Sequence, residues 1–142
     1  ARQLANLSCH LYASPRYVEQ FGEPTHPAEL VKHECIGLRA GKANAWVLHR
    51  GEESLEIAIG GRFQLNSVGL IRRLATLDQG IAVLPSAIVA EDVAQGRLRQ
   101  ILLEWEGPAT PVYAMTETRL LPAKTQRFIE FLRERLSVHT RA

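Results

Sequence analysis

The chain has 142 residues, of which 46% are hydrophobic and 23% are charged, so it can bury a core of its own. Its net charge of +2 is scattered along the chain instead of forming a basic stripe, which argues against direct nucleic-acid binding. No apolar run approaches the roughly 18 residues of a membrane span, and no signal peptide is visible, so we expect a cytoplasmic protein.

The first third of the chain predicts one strand followed by two short helices. Residues 7–13 are typical of an apolar strand. Ser14 is a candidate N-cap, Pro15 suits the first helical position, and Gly22 ends this helix. Its expected apolar face comprises Tyr17, Val18 and Phe21. The second helix begins near Pro27 and runs to about residue 33.

Strands then dominate the pattern. The predicted strands are 35–38, 46–48, 55–59 and 63–65, and turns are expected at 41–44 and 51–54. In the third of these, Leu55, Ile57 and Ile59 alternate with Glu56 and Ala58, as in a half-exposed strand.

The best-defined unit is a strand–helix–strand–helix–strand pattern. Asn66 and Ser67 supply an N-cap for a helix that Gly80 closes, and a buried strand follows at 81–84. A second helix runs from Ser86 to about residue 94, and a strand follows at 98–103. This order predicts an α/β fold with parallel strands. Ser14, Ser67 and Ser86 all precede helices, and we interpret each as a helix cap rather than a nucleophile.

The last part of the chain is expected to form a proline-containing loop at 104–111 and a strand at 112–116. A helix from Pro122 would complete it, with an apolar stripe at helical spacing that includes Phe128, Ile129, Leu132 and Leu136.

Motifs for catalysis, cofactors and metals are weak. The segment 37–43 has three residues between its glycines, and Ala43 stands where a phosphate loop has Ser or Thr. His33 and Cys35 are too few for a metal site, so we expect structural roles for both. Cys9 and Cys35 lie in apolar segments and are expected to be buried, reduced thiols. We therefore predict no cofactor, no metal and no enzyme activity.

One candidate ligand site remains, at the junction of a strand ending at Leu65 and a helix beginning near Ser67. Ligands of α/β proteins gather at the carboxyl ends of strands, and a helix N-terminus offers free N–H groups and partial positive charge. The junction therefore predicts an anion site at Asn66, Ser67 and Val68, where Gly69 adds no side-chain bulk. The alternative is that Asn66 or Ser67 merely caps the helix.

Several segments match a known family in the same order. They are LYASPRYV at 11–18, the Pro…Pro-x-Glu-Leu…His-Glu-Cys-Ile pattern over 24–36, Trp46, GRFQLNS at 61–67, LDQGIAVLP at 77–85, GRL at 96–98, VYA at 112–114 and FIEFL at 128–132. Together they resemble the effector-binding domain of LysR-type bacterial transcription regulators over nearly the whole chain.

The resemblance implies a two-lobed α/β fold like that of type II periplasmic binding proteins. The second lobe would be complete over 14–111, whereas 1–13 and 112–142 would form a partial first lobe. The connecting strands would lie near 11–13 and 112–115. The family's winged helix-turn-helix, linker helix and opening βαβ portion have no counterpart here, so we expect a fragment or a truncated product.

The implied function is allosteric. A small metabolite, often a carboxylate, binds between the lobes of a homodimer or homotetramer and controls DNA binding by a domain outside this chain, with no membrane involved. Besides the anion site, the resemblance suggests that Leu38 or Trp46 forms an apolar wall, with core packing as the alternative for each. Tyr12 and Tyr113 would flank the pocket.

Three alternative functions remain open. A transport-type solute-binding protein of the same fold would have a secretory signal and a complete first lobe. An α/β enzyme would need a nucleophile, base or cofactor loop. A pure dimerisation module would have lost its effector site together with the missing part of the first lobe.

Overall fold

A computed structural model describes residues 2–39, 45–108 and 110–114, and for 2–6 and 110–114 it describes the backbone alone. The strands are β1 (Arg2–Leu7), β2 (Cys9–Ala13), β3 (Gly37–Leu38), β4 (Ala45–Arg50), β5 (Glu53–Ala58), β6 (Gln64–Leu65), β7 (Ala82–Pro85), β8 (Arg99–Ile101) and β9 (Thr110–Ala114). The helices are α1 (Pro15–Phe21), a 3₁₀ helix (Pro27–Lys32), α2 (Val68–Thr76) and α3 (Ser86–Ala94). The predicted turn at 41–44 and the helix from Pro122 lie outside the described residues.

Two of the three predicted serine caps are present. Ser14 accepts a hydrogen bond from the Tyr17 N–H at 3.0 Å, and Ser67 accepts one from the Leu70 N–H at 3.3 Å. The prediction for Ser86 is wrong. Pro85 precedes α3 without a side-chain cap, and the Ser86 hydroxyl donates to the carbonyl of Ser8 at 3.3 Å instead. The Ser86 hydroxyl reaches Ser8, which lies just before β2, because the start of β2 pairs with the end of β7.

β2 is the middle strand of a three-stranded sheet. It pairs antiparallel with β7 on one edge and with β8 on the other. Leu11 and Tyr12 pair with both neighbouring strands and Ala13 pairs with β8, and the connecting role expected near 11–13 stays a prediction. It is β1 that pairs antiparallel with β9. The division into lobes at 14 and 111 stays a prediction.

Parallel strands extend this sheet on the β7 side. β3 pairs parallel with β6, and a parallel bridge between Cys35 and Ile81 joins β3 to the start of β7. The Ile36 N–H donates to the carbonyl of Ile81, and the Ile81 N–H donates to that of Glu34, both at 2.8 Å. The strands of the predicted strand–helix–strand–helix–strand unit, β6, β7 and β8, therefore run in the same direction as expected, whereas β2 runs against them. As a result, the carboxyl ends of β3, β6 and β7 share one edge.

Both faces of the sheet are covered. Successive side chains of a strand point to opposite faces, so Leu11 and Tyr12 of β2 belong to different core clusters. On the Leu11 side the sheet packs against α1, the 3₁₀ helix and the hairpin of β4 and β5, with Tyr17, Leu30, Leu48, Ile57 and Trp105 buried there. On the Tyr12 side it packs against α2 and α3, with Ile36, Ile71, Ala75, Val89 and Leu98 buried there. The predicted apolar face of α1 is only partly buried, since Phe21 is 55% exposed.

Candidate functional site

The shared carboxyl edge of β3, β6 and β7 is where the sequence placed its candidate site. β3 ends at Leu38 and β6 at Leu65, directly opposite one another. The chain leaves β3 through Arg39, whose N–H donates to the carbonyl of Leu65 at 2.6 Å. It leaves β6 through Asn66 and Ser67 and enters α2 at once. The start of α2 therefore stands beside the exit of β3.

The first turn of α2 presents backbone donors at this edge. The helix begins at Val68, and its first intrahelical bond runs from the Ile71 N–H to the carbonyl of Ser67 at 3.0 Å. Helical N–H groups before that point have no acceptor within the helix. The Ser67 side chain accepts from the N–H of Leu70, and within the described part of the chain the N–H groups of Val68 and Gly69 have no acceptor, so both can bind a ligand. The capping alternative for Ser67 and the anion site are therefore compatible.

Access to this turn is open. Asn66, Ser67 and Gly69 are exposed, and Val68 is half-buried. A Cβ built on Gly69 would have the Ser67 hydroxyl oxygen as its single neighbour within 4 Å, at 3.9 Å. Gly69 is thus not required for internal packing, and its missing side chain leaves the N–H groups uncovered.

Arg39 is a functional candidate that the sequence analysis missed. Its side chain is exposed, and it makes no hydrogen bond or ion pair with any residue that the structure describes. The backbone of Arg39 lies beside Leu65, three residues before α2, so its guanidinium can add a full positive charge near the partial charge of the helix N-terminus. The signal in the sequence was a cation directly after a short apolar strand, at the end where α/β ligands bind.

The other predicted pocket residues lie at different places. Leu38 is 40% exposed at the same edge, where it can offer an apolar surface. Tyr12 is 3% exposed beneath α2 and α3, and its burial raises the pKa of its hydroxyl to about 12. Trp46 packs against the core on the opposite face, in agreement with the packing alternative. Tyr113 pairs with Gln3 in the backbone of β9, and its side chain lies outside the described residues.

The burial of Cys9 and Cys35 and the hydrogen bond of His33 are typical of residues with a structural role. Cys9 and Cys35 are buried thiols that form no disulfide within the described residues, as predicted, and burial raises the pKa of the Cys35 thiol to about 12. His33 Nδ1 is hydrogen-bonded to the Tyr17 hydroxyl at 2.8 Å. Within the described ranges, no cluster of His, Cys, Asp and Glu could hold a metal ion, and no helix is long and apolar enough to cross a membrane.

A sheet covered on both faces, with parallel strand ends and a helix N-terminus at one edge, defines an α/β protein of the kind that binds ligands at that edge when it has one. The family model described as the LysR substrate binding domain matches residues 1–137. The chain belongs to this family, and its α/β fold is that of the type II periplasmic binding proteins, as the resemblance implied.

Individual relatives are transcription regulators. The chain is 32% identical over 138 residues to the HTH-type transcriptional regulator PtxR of Pseudomonas aeruginosa, covering 96% of this chain and 44% of the relative. Among solved structures, it is similar to the CrgA regulatory domain of Neisseria meningitidis, with 27% identity and a TM-score of 0.74 over 96% of this chain and 68% of that one. The chain is also similar to the regulatory domain of AphB from Vibrio vulnificus, with 27% identity and a TM-score of 0.70 over 92% of this chain and 66% of that one. The chain spans less than half of the length of the curated relatives it matches.

Proposed function

We propose that this chain senses a small anionic metabolite, an organic acid, for a bacterial LysR-type transcription factor. The observation that carries the proposal is the combination, at one sheet edge, of two N–H groups at the start of α2 with the exposed side chain of Arg39, none of which has a partner among the described residues. A carboxylate bound there would accept hydrogen bonds from Val68 and Gly69 and pair with the arginine. Leu38 would contact the apolar part of the same ligand.

The proposed site is one half of a cleft. We infer that 14–111 form the lobe that carries it and that 1–13 and 112–142 contribute to a second lobe. The antiparallel pairing of β1 with β9 supports a connection made of two strands. A ligand held between two lobes shifts their relative position only if it binds the two arrangements with different affinity.

The output of the proposed sensor is the control of DNA binding. The curated relatives are named HTH-type transcriptional regulators and are about twice as long as this chain, which supports a separate DNA-binding domain in the whole protein. We propose that the regulator acts in the cytoplasm as a homodimer or homotetramer. We also propose that it binds its effector without turning it over, since the relatives carry the names of regulators.

The test is calorimetric titration of the 142-residue chain with a panel of organic acids, each paired with its neutral amide. We expect at least one acid to bind and its amide to bind about tenfold more weakly, because the amide lacks the charge. Arg39→Gln should reduce the affinity for the acid, whereas Arg16→Gln, on the exposed side of α1, should not. Equal affinity for acid and amide, or an unchanged affinity in Arg39→Gln, would contradict the site. Consumption of the acid would contradict the sensor.

A further inference from the structure

A buried carboxylate outside the candidate site joins three elements of the fold. Asp92 of α3 is 2% exposed, and its Oδ1 and Oδ2 accept from Nη1 of Arg72 on α2 at 3.0 and 2.8 Å. Its Oδ1 also accepts from Nε of Arg97, just before β8, at 2.8 Å. We call this ion-paired group of Arg72, Asp92 and Arg97 the Asp92 joint. In this joint α2, α3 and the start of β8 meet through charged side chains.

The backbone of Asp92 holds the same entry to β8. Its carbonyl oxygen accepts hydrogen bonds from the N–H groups of Arg97 and Leu98, at 2.8 and 3.2 Å. The chain reverses at Gly96, whose φ of 76° is a left-handed conformation that glycine adopts without strain. Leu98 is 1% exposed and belongs to the same core cluster as the buried face of α2. The side chain and the main chain of Asp92 therefore both act on the two residues before β8.

The Asp92 joint is directional, whereas the core around it is apolar and apolar burial is non-directional. Arg72 and Arg97 donate to the same oxygen atom, Oδ1 of Asp92. A buried carboxylate that loses a partner is left with uncompensated charge, so hydrogen-bonding distance to both arginines is strongly favoured. A displacement of Arg72 together with α2 therefore displaces the carboxylate and, through it, Arg97.

The two ends of the Asp92 joint lie next to important parts of the fold. Arg72 is one helical turn along α2 from Val68, whose N–H belongs to the proposed anion site together with that of Gly69. At the other end, Arg97 leads into β8, which pairs with β2. The next strand in the chain is β9, which pairs with β1. The joint thus lies between the proposed site and the strand that precedes β9.

We propose that Asp92 is a positioning residue of the effector site. Through Arg72, its carboxylate holds α2 where the N–H groups of Val68 and Gly69 face the anion. Through Arg97, it passes a displacement of α2 on to β8. The transmission to β8 rests on the proposed function, because it needs an anion bound at the start of α2. The positioning of α2 does not, and it is tested without a ligand.

The first test compares amide chemical shifts of the ¹⁵N-labelled 142-residue chain with those of Arg97→Gln. Both arginines are partly exposed, and Asp92 keeps Arg72 as its partner in this variant, so the fold is retained. We expect Arg97→Gln to shift the amides of Val68 and Gly69, although these lie on another element, because the carboxylate that holds α2 is released on one side.

A matched control removes an ion pair that is not part of the Asp92 joint. Arg99 of β8 pairs with Glu23, which lies two residues after α1. Arg99→Gln should leave the two α2 amides unmoved, and circular dichroism checks that each variant is folded. Unmoved α2 amides in Arg97→Gln, or equal shifts in Arg97→Gln and Arg99→Gln, would overturn the proposal.

The second test adds an acid found by calorimetry and follows the amides of residues 97–101. In the wild-type chain we expect them to shift along the same saturation curve as the α2 amides. Arg72→Gln should weaken binding and, at saturating acid, reduce the shifts at 97–101 at least about threefold. Arg73→Gln removes the same charge from the next, exposed residue of α2 and should retain the shifts. Shifts at 97–101 that are absent from the wild type, or that persist in Arg72→Gln, would overturn the proposal.

The outcomes separate the Asp92 joint from the effector site. If no acid binds but Arg97→Gln moves the α2 amides, the proposed function fails and the positioning of α2 by Asp92 stands. If an acid binds at the start of α2 while Arg97→Gln moves nothing there, the effector site stands and the positioning role is overturned.

Discussion

Asp92 is a buried carboxylate held between two arginines. It is 2% exposed and lies 2.8 Å from both the Arg72 guanidinium and Arg97 Nε. Burial alone would raise its pKa, but the hydrogen bonds from Arg97 and Arg72 outweigh this effect and lower the pKa. The charged form of Asp92 therefore stabilises the contact between α2 and α3.

Asp92→Asn should lower the free energy of unfolding by about 2 kcal/mol near neutral pH, because it leaves two partly exposed arginines without their carboxylate. A lowered pKa contributes stability that is present above the unfolded value of about 4 and is lost as the pH falls through the folded value. The difference between wild type and variant should therefore shrink below about pH 4. Urea titrations at several pH values measure it, with exposed Glu52→Gln as the control. If Asp92→Asn lowers the unfolding free energy by the same amount at every pH, the stabilising role of the charged Asp92 carboxylate is contradicted.

Gly61 marks a close approach of two backbone segments. A Cβ at this position would overlap the carbonyl oxygen of Cys35 and lie 3.0 Å from Glu34 Oε2, whereas one at Gly60 would have no neighbour within 4 Å. Gly61→Ala should therefore destabilise the fold by about 2 kcal/mol, and Gly60→Ala by less than about 0.5 kcal/mol. Thermal or urea unfolding of this pair tests the packing of β5 and β6 against β3. Equal losses of unfolding free energy in the two variants would show that the backbone at Gly61 lies farther from Cys35 than described.

Ser14 and Ser86, the serines at the starts of α1 and α3, differ in the number of hydrogen bonds that their side chains make. The Ser14 side chain caps α1 and also donates to Asp78 Oδ1 at 2.6 Å, which ties α1 to the turn before β7. Ser14→Ala should cost about 1–2 kcal/mol of unfolding free energy. Ser86→Ala removes one 3.3 Å bond and no cap, so it should cost clearly less. If the Ser86 variant is the less stable of the two, the capping assignment is wrong.

Local chemistry was enough to predict many elements. The Ser14-Pro15 pair started α1 where expected, and the alternation of Leu55, Ile57 and Ile59 predicted β5 and its half-exposed face. The direction of β2 was not predictable in this way, because an apolar run fits a strand in either orientation. Its place between β7 and β8 follows from pairings between residues that are 70 or more positions apart in the chain.

Only the part of the candidate site that is local in sequence could be predicted. A strand running into a capped helix is a local pattern, so the sequence located Ser67 and its neighbours. Arg39 joins them through a parallel strand pair that no local pattern shows. Tyr12 was assigned to the pocket because of its nearness in sequence to a connecting strand, but alternation along β2 turns its side chain into the core.

At the scale of the whole molecule, the proposed anion site lies at the carboxyl edge of the sheet, where α2 begins. The Arg72–Asp92 ion pair joins α2 to α3, so a shift of α2 on effector binding would be passed to α3. Such coupling requires that the effector bind the two arrangements with unequal affinity.

The central claim is that an anionic effector binds at the start of α2. The most direct measurement is a titration of the ¹⁵N-labelled chain with an acid found by calorimetry, followed by amide chemical shifts. We predict that the largest shifts occur at Val68 and Gly69, with further shifts at Arg39, and that the neutral amide of the same acid leaves them unmoved. Saturable binding whose shifts lie elsewhere, for example around β4 and β5, with Val68 and Gly69 unchanged, would contradict the account.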